Sequence, residues 1–352
     1  MRNLSLNIRL LIVFSIFLIG FVISNFMFTT NKSSVYEKDM HQAVDLTIKW
    51  FGIIKNQKEV RGIQSDAVSN VPYSFLLGND FTTITTTLGS LNAKEISTNP
   101  DFSALIVRLI KEAGIKENTK VGVILSGSFP SLSIATLAAL QTLNLEVIMS
   151  SSLGASSYGA NQESATWIDM ENWLLEEGNL KYHSEIVSKG AENDIGLGLS
   201  DEGNMFLEDA ARRNNRTLYS PQNLSQAITD RVNLFVSNNI SLLINIGGNQ
   251  AAMGSCTHSV SIPNGLNKNI TLCNDKDRGV IQEMNALGIP VINLLNIKEL
   301  ANRYEMDISP GIQYSASKRL FNEKHINKTI LSITLLVSLF CLVISVPRKI
   351  KA

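Results

Sequence analysis

The longest runs of hydrophobic positions lie at the two ends of the chain, at residues 10–28 and 330–346, and neither contains a charge. Each run is about as long as a helix that crosses a bilayer. The alternatives are a cleaved signal peptide for the first run and a buried core helix for the second. No small-x-small cleavage site follows the first run, and the second lacks the polar face that a core helix normally keeps. The pattern therefore predicts two transmembrane helices that flank a soluble domain of residues 29–329.

The hydrophilic ends beyond these spans are short. They comprise an N-terminal tail of residues 1–9 and a basic tail of residues 347–352. Lysine and arginine flank both spans on both sides, so the positive-inside rule does not decide the topology. The short N-terminal arm favours cytoplasmic termini and an exported domain.

Between the spans, a helical and Thr-rich lead-in over residues 29–100 precedes an expected sheet core over residues 101–312. Short continuous apolar runs, typical of buried parallel strands, occupy residues 121–125, 146–149, 242–246 and 291–294. Helical patterns occupy residues 34–63, 102–113, 131–143, 166–177, 205–214, 224–237 and 279–287. Because strands and helices alternate, the pattern predicts an α/β domain with a doubly wound, mostly parallel sheet.

Composition narrows the possible partners. The formal net charge is zero, and there is no basic arm or patch of the kind that nucleic-acid binders carry. Of the three cysteines, Cys341 lies in the second span, while Cys256 and Cys273 bracket a polar loop. These two form a disulfide if the domain is exported and remain thiols if it is cytosolic. Together with His258 they do not match a zinc signature, so we expect no metal and no cofactor.

Segments rich in Ser, Gly and Asn follow three of the predicted strands, where parallel sheets bind ligands. Such segments let backbone amides approach an anion closely. Small residues are also common in tight turns, but three such segments at one edge favour a binding site. Its candidate residues, with Lys94 from a Thr/Ser-rich tract, are Lys94, Ser126, Gly127, Ser128, Ser152, Gly154, Ser156, Asn161, Gly247, Gly248 and Asn249. Lys94 either pairs with a carboxylate ligand or is solvated.

The sequence matches two well-known site motifs, the nucleophile elbow and the P-loop, only in part. Gly127-Ser128 suggests a nucleophile elbow, but Pro130 stands where the second glycine belongs, so Ser128 is a weak candidate nucleophile. The glycines at 154 and 159 have P-loop spacing without the phosphate-binding lysine. The acidic segment 192–203 lacks EF-hand spacing and reads as a surface loop whose Ser200 caps the next helix. The residues favour a binding protein over an enzyme without deciding between them.

Several motifs, in the same order along the chain, resemble the poly-gamma-glutamate system protein family of bacteria. They are ITTTLGSLNAKEISTNPDF (84–102), SGSFPSLSIATLAAL (126–140), SSLGASSYGAN with TWIDME (151–171), GLGLSDEG (196–203) and INIGGNQAAMG (244–254). Asn249 takes the place of a third glycine that is usual in the family.

The resemblance implies a membrane-associated accessory component of poly-γ-glutamate synthesis or export, located in the bacterial inner membrane. The expected partners are the polymer or its glutamyl precursors, other membrane subunits of the synthase, and lipid. Two alternatives stay open. One is an amidohydrolase or transpeptidase that processes the polymer with Ser128 as nucleophile, and the other is a purely structural subunit of the complex.

Overall fold

The computed structural model describes residues 6–27, 29–256, 262–306, 314, 316–326 and 328–345. Its helices are α1 (Leu6–Met27), α2 (Glu37–Val60), α3 (Leu91–Ser97), α4 (Asp101–Glu112), α5 (Pro130–Thr142), α6 (Trp167–Glu177), α7 (Asp201–Arg213), α8 (Leu224–Ser237), α9 (Gln250–Met253), α10 (Val280–Ala286), α11 (Ile297–Arg303) and α12 (Lys328–Ser345). Its strands are β1 (Thr29–Ser33), β2 (Thr85–Thr87), β3 (Lys120–Ser126), β4 (Glu146–Ser152), β5 (Ala155–Ser156), β6 (Ser184–Ser188), β7 (Leu242–Ile246), β8 (Gly265–Asn267), β9 (Val291–Leu294) and β10 (Asn322–Ile326). The chain divides into two compact units, residues 1–35 with 321–352, and residues 36–320.

The first unit joins the two ends of the chain. Strand β1 pairs antiparallel with β10, from Thr29 opposite Ile326 to Ser33 opposite Asn322, a ribbon that the hydrophobic pattern did not indicate. Helices α1 and α12 contact each other, and a Cβ at Gly20 would overlap the Thr334 side chain. Within the described ranges, no helix has the combination of length and apolar character needed to cross a membrane.

The second unit is built on a six-stranded sheet with the order β6-β4-β3-β7-β9-β8. All neighbouring pairs are parallel except β8 with β9. The chain proceeds outward from β3 through β4 to β6 and then returns to the other side of β3 to form β7. The sheet therefore has a topological switch point between β3 and β7, where open α/β sheets bind ligands. The predicted α/β fold with a mostly parallel sheet is confirmed.

Strand β4, which lies between β6 and β3, is longer than its apolar residues suggested. The apolar pattern predicts a strand that ends at Met149, with Ser150, Ser151 and Ser152 in the loop that follows. These three serines instead continue the ladder with β3, opposite Ile124, Leu125 and Ser126. Two of the three buried hydroxyls have partners, since the Ser150 hydroxyl accepts a hydrogen bond from Arg231 and the Ser152 hydroxyl accepts one from Asn249. The buried Ser151 hydroxyl has no hydrogen-bond partner in the described structure.

Helices cover the sheet. Helix α5 is buried along its length from Pro130 to Leu140, as expected for a helix that is apolar on every side, and α2 and α4 pack against it. A separate cluster joins Ile124 and Leu243 of the sheet to Phe235 of α8 and Met284 of α10. The predicted helix over residues 34–63 corresponds to α2.

The lead-in is not a separate segment. Residues 36–100 belong to the same compact unit as the sheet, and strand β2 pairs in parallel with β5, with Thr85 opposite Ala155. This pairing draws the Thr-rich stretch and the following helix α3 towards the carboxyl end of β4. The expected end of the sheet core, residue 312, lies outside the described residues.

Candidate functional site

The Ser-, Gly- and Asn-rich segments after β3, β4 and β7 converge at one edge of the sheet. They border a cleft of about 610 Å³ at the switch point between β3 and β7. Eight of the predicted site residues line it, namely Lys94, Ser126, Ser128, Ser152, Gly154, Ser156, Gly248 and Asn249. The chain topology explains this convergence, because parallel strands present their carboxyl ends at the same edge.

Lys94 is the buried cation of the cleft. Its side chain is only 2 % exposed, and its Nζ donates hydrogen bonds to the carbonyl oxygen of Ser128 and, at 2.8 Å, to the Ser156 hydroxyl. The same nitrogen lies 4.0 Å from the centre of the Phe129 ring. None of the ion pairs among the described residues includes Lys94, and burial lowers the pKa of its ammonium group to about 7. The solvated lysine that the sequence allowed is therefore absent.

Glycines let the loops after β3 and β4 approach closely. A Cβ at Gly127 would lie 2.7 Å from the Leu153 carbonyl oxygen. A Cβ at Gly159 would lie 2.8–2.9 Å from the carbonyl oxygens of Gly127, Ser128 and Ser156. The Ser156 N–H in turn donates to the Ser128 hydroxyl at 3.1 Å. Gly127, a predicted site residue, is not among the lining residues of the cleft. Its lack of a side chain lets the loop after β3 lie close to the loop after β4.

The segment after β7 is tied to β4 by Asn249. Its side-chain nitrogen donates to the Ser152 hydroxyl at 2.7 Å, and its side-chain oxygen accepts from the Ala252 N–H at 3.2 Å. Gly247 precedes it with a φ of +86°, and a Cβ there would lie 2.6 Å from the Ser126 hydroxyl oxygen. The Asn249 side chain therefore fixes this loop in place.

Asn161 does not line the cleft in the described structure. Its side chain is fully buried and forms hydrogen bonds with the Asn79 N–H at 2.9 Å, the Asn79 carbonyl at 2.8 Å and the Thr85 hydroxyl at 2.9 Å. These bonds attach the lead-in to the loop after β4. The role of Asn161 in this structure is to position the loop.

The fourth wall of the cleft was not predicted. Ala191, Glu192 and residues 197–199 of the segment between β6 and α7 line it. The segment is anchored by Asp194, whose carboxylate accepts hydrogen bonds from Arg231 at 2.6 Å and from the Ser188 hydroxyl at 2.7 Å. The acidic residues suggested only a surface loop or a cation loop. The glycines of this segment are the sequence feature that could have indicated a closely packed loop. In the structure Gly190, Gly196 and Gly198 all have positive φ.

Ser200 ends this segment by capping α7, as predicted, and its hydroxyl accepts from the Gly203 N–H at 3.0 Å.

Away from the cleft, Cys256 and Cys273 form a disulfide, with their Cα atoms 6.3 Å apart. His258, the third member of the weak metal pattern, lies outside the described residues.

The charge of the cleft is simple. Among its described lining residues, only Lys94 and Glu192 are charged, and Glu192 is exposed to solvent. The interior therefore combines one buried cation with seryl hydroxyls, next to apolar side chains such as Leu88, Phe129 and Leu295. Such a surface can hold a small anionic group and orient a neutral chain beside it.

The chain was compared with protein-family models, with curated proteins and with solved structures, and none of the three comparisons gave a match.

Proposed function

We propose that this protein is a membrane-tethered accessory component of poly-γ-glutamate synthesis or export, and that its cleft binds the carboxylates of γ-glutamyl segments. The observation that carries the proposal is Lys94, a buried lysine in the cleft with no carboxylate partner among the described residues. A buried charge without a counter-ion is costly. A carboxylate ligand supplies the missing counter-charge.

The location of the resembling motifs supports the proposal. The five motif segments are distant from one another along the chain, yet residues from each of them border the cleft, as Lys94, Ser128, Ser156, Leu197 and Asn249 illustrate. Sheet topology alone brings the segments after β3, β4 and β7 together, but it does not require the segments that contain Lys94 and Leu197 to border the same cavity. Their common position supports a shared binding function.

The chemistry of the lining fits a γ-linked polymer. Each residue of such a polymer carries one carboxylate, one backbone amide and a short methylene segment. The Lys94 ammonium can pair with the carboxylate, and the Ser126, Ser128 and Ser152 hydroxyls can bond the amide. The apolar side chains of Leu88 and Leu295 can cover the methylene groups.

The disulfide supports an exported domain. Cys256 and Cys273 are bonded, and structural disulfides persist in oxidising compartments rather than in the cytosol. With residues 10–28 and 330–346 as inner-membrane spans, both termini are then cytoplasmic and the cleft faces the exported polymer. Reporter fusions placed within residues 36–320 test this arrangement, and cytosolic reporter activity would contradict it.

The binding proposal is tested by titrating the full-length protein with a short oligo-γ-glutamate in a calorimeter. The matched control ligand is the same oligomer with its side carboxylates converted to amides. We expect saturable binding of the acidic oligomer and loss of binding for the amidated one. Equal binding of both oligomers, or of neither, would contradict the proposal, and binding of neither would favour a purely structural subunit.

A further inference from the structure

We propose that the cleft also performs acyl transfer on γ-glutamyl amide bonds, with Ser156 as the nucleophile and Lys94 as the base that accepts its proton. The inference rests on the proposed function, because the same cleft must first hold the polymer. In this reaction the nucleophile is Ser156 and not the Ser128 that the sequence suggested.

The geometry separates the two serines. The Nζ of Lys94 lies 2.8 Å from the Ser156 hydroxyl oxygen, which is the separation expected of a nucleophile and its base. At Ser128, the same nitrogen contacts the main-chain carbonyl oxygen instead of the hydroxyl. The Ser128 hydroxyl accepts the Ser156 N–H at 3.1 Å, so it holds the backbone of the nucleophile in place.

The surroundings of Lys94 suit a base. The Phe129 ring on one side and the Ser128 carbonyl on another fix the position of Nζ, and Ser156 borders the cleft where a substrate amide would lie. Burial disfavours the charged form of an amine, and no carboxylate among the described residues counteracts this effect at Lys94. The lowered pKa of about 7 agrees with this environment. A neutral amine is thus accessible near physiological pH.

The reaction proceeds in two balanced steps. The Ser156 oxygen attacks the carbonyl carbon of a γ-amide while its proton passes to the Lys94 amine. The C–N bond then breaks, the leaving nitrogen takes that proton from Lys94, and an ester to Ser156 remains. Water, or the amine of a second chain, attacks the ester and gives its proton to Lys94. The ester C–O bond breaks and the Ser156 oxygen recovers the proton, which yields hydrolysis or transfer.

The two roles of Lys94 use its two protonation states. The ammonium form attracts the carboxylate of the polymer, whereas the amine form activates Ser156. A carboxylate near Nζ favours the ammonium, so deprotonation has to precede attack. We therefore expect KM and kcat to rise together as the pH increases above 7. A site that only binds the polymer would lose affinity above pH 7, as the ammonium loses its proton, and would show no turnover at any pH.

The test is incubation of the full-length protein with oligo-γ-glutamate in ¹⁸O-labelled water, followed by mass spectrometry of the products. The variants are Ser156→Ala, Ser128→Ala and Lys94→Arg, with Ser157→Ala as the matched control. Ser157 is adjacent to the nucleophile, and its buried hydroxyl has no hydrogen-bond partner in the described structure. Calorimetry on the same samples reports binding separately from cleavage.

We expect cleavage with one ¹⁸O in the new carboxylate, lost by about 10²–10⁴-fold in Ser156→Ala and in Lys94→Arg, since arginine cannot serve as a base. Ser128→Ala should lower the rate by less than about tenfold, and Ser157→Ala should match the parent protein. Binding without cleavage by the parent protein, or full activity in Ser156→Ala, would overturn the inference while leaving the proposed function intact. Absence of both binding and cleavage would overturn both.

Discussion

Asp194 and Arg231 form an ion pair of 2.6 Å in which both side chains are almost completely buried, at 1 % and 0 % exposure. Arg231 extends from α8, donates to Ser150 on β4 at 2.9 Å, and lies 2.9 Å from the Ala227 carbonyl. Asp194 belongs to the segment between β6 and α7, residues 189–200, which forms one wall of the cleft and is called the wall segment below. The pair therefore fixes a loop that has several residues at positive φ, including Ala191 and Asn193, to strand β4 of the sheet.

We predict that Asp194→Ala lowers the free energy of unfolding by about 3–5 kcal/mol, because it leaves the Arg231 charge buried without its partner. The comparison variant is Asp209→Ala, which removes an ion pair at the surface. In this pair the Arg212 side chain is 75 % exposed and the Asp209 side chain is 52 % exposed. That loss should be no more than about 1 kcal/mol. Urea unfolding measures both values. Equal losses in the two variants would show that the buried pair does not anchor the wall.

Gly159→Ala should destabilise the protein by about 1–3 kcal/mol. The new methyl group would press on three carbonyl oxygens of the loops that carry Ser128 and Ser156. Gly52→Ala provides the control, since a Cβ at this position in α2 meets nothing within 4 Å, and alanine favours a helix by up to about 1 kcal/mol. Thermal unfolding of the two variants should therefore shift in opposite directions, and a shift of both in the same direction would contradict the close approach at Gly159.

The buried Lys94 also makes a prediction about pH. Its pKa is about 7 in the folded chain and 10.5 in its ordinary state, so between these values the unfolded chain binds a proton that the folded chain does not. The contribution of Lys94 to the free energy of unfolding therefore rises with pH between about 7 and 10.5, by at most about 1.4 kcal/mol per pH unit. Below pH 7 this contribution is constant. The measurement is the stability difference between the parent protein and Lys94→Met from pH 6 to pH 9. The difference should move in favour of the parent above pH 7, and a difference that is independent of pH would contradict the burial of Lys94.

Loss of the disulfide should cost stability without affecting the cleft. The bond closes a loop with a sequence separation of 17 residues, for which the chain-entropy model gives about 3 kcal/mol. The double variant Cys256→Ser with Cys273→Ser should unfold at lower urea concentration and still bind oligo-γ-glutamate like the parent protein. An unchanged unfolding curve would indicate that the two thiols are not bonded in the isolated protein.

The sequence was sufficient to predict the α/β sheet because its central strands are continuous apolar runs and α5 is apolar on every side. The strands that it missed lack such runs. Strand β6 (Ser184–Ser188) and the antiparallel edge strand β8 (Gly265–Asn267) are short and partly polar, and the serines of β4 look like a loop. Their strand conformation depends on partners far away in the sequence, such as Arg231 for Ser150, which local patterns do not reveal.

The site was predicted in outline and missed in detail. Parallel strands bring their carboxyl ends together, so the convergence of Ser126, Ser152 and Gly248 follows from the fold. The burial of Lys94 depends on the pairing of β2 with β5, and the wall segment depends on the Asp194–Arg231 pair. Neither contact has a local signature. Asn161, a predicted ligand-binding residue, does not line the cleft, and its amide instead connects the lead-in to the loop after β4.

The proposed pairing of the Lys94 charge with a polymer carboxylate is tested most directly by the affinity of Lys94→Met for oligo-γ-glutamate at pH 6, compared with that of Lys58→Met. Lys58 is a suitable control because it is also buried, at 3 % exposure, has a pKa lowered to about 8 by burial, and donates to the Phe75 and Leu77 carbonyls outside the cleft lining. We predict that Lys94→Met weakens binding by about 10–100-fold, the value of a hydrogen bond to a charged group, while Lys58→Met binds like the parent protein. Unchanged affinity in Lys94→Met, with the protein folded, would contradict this pairing.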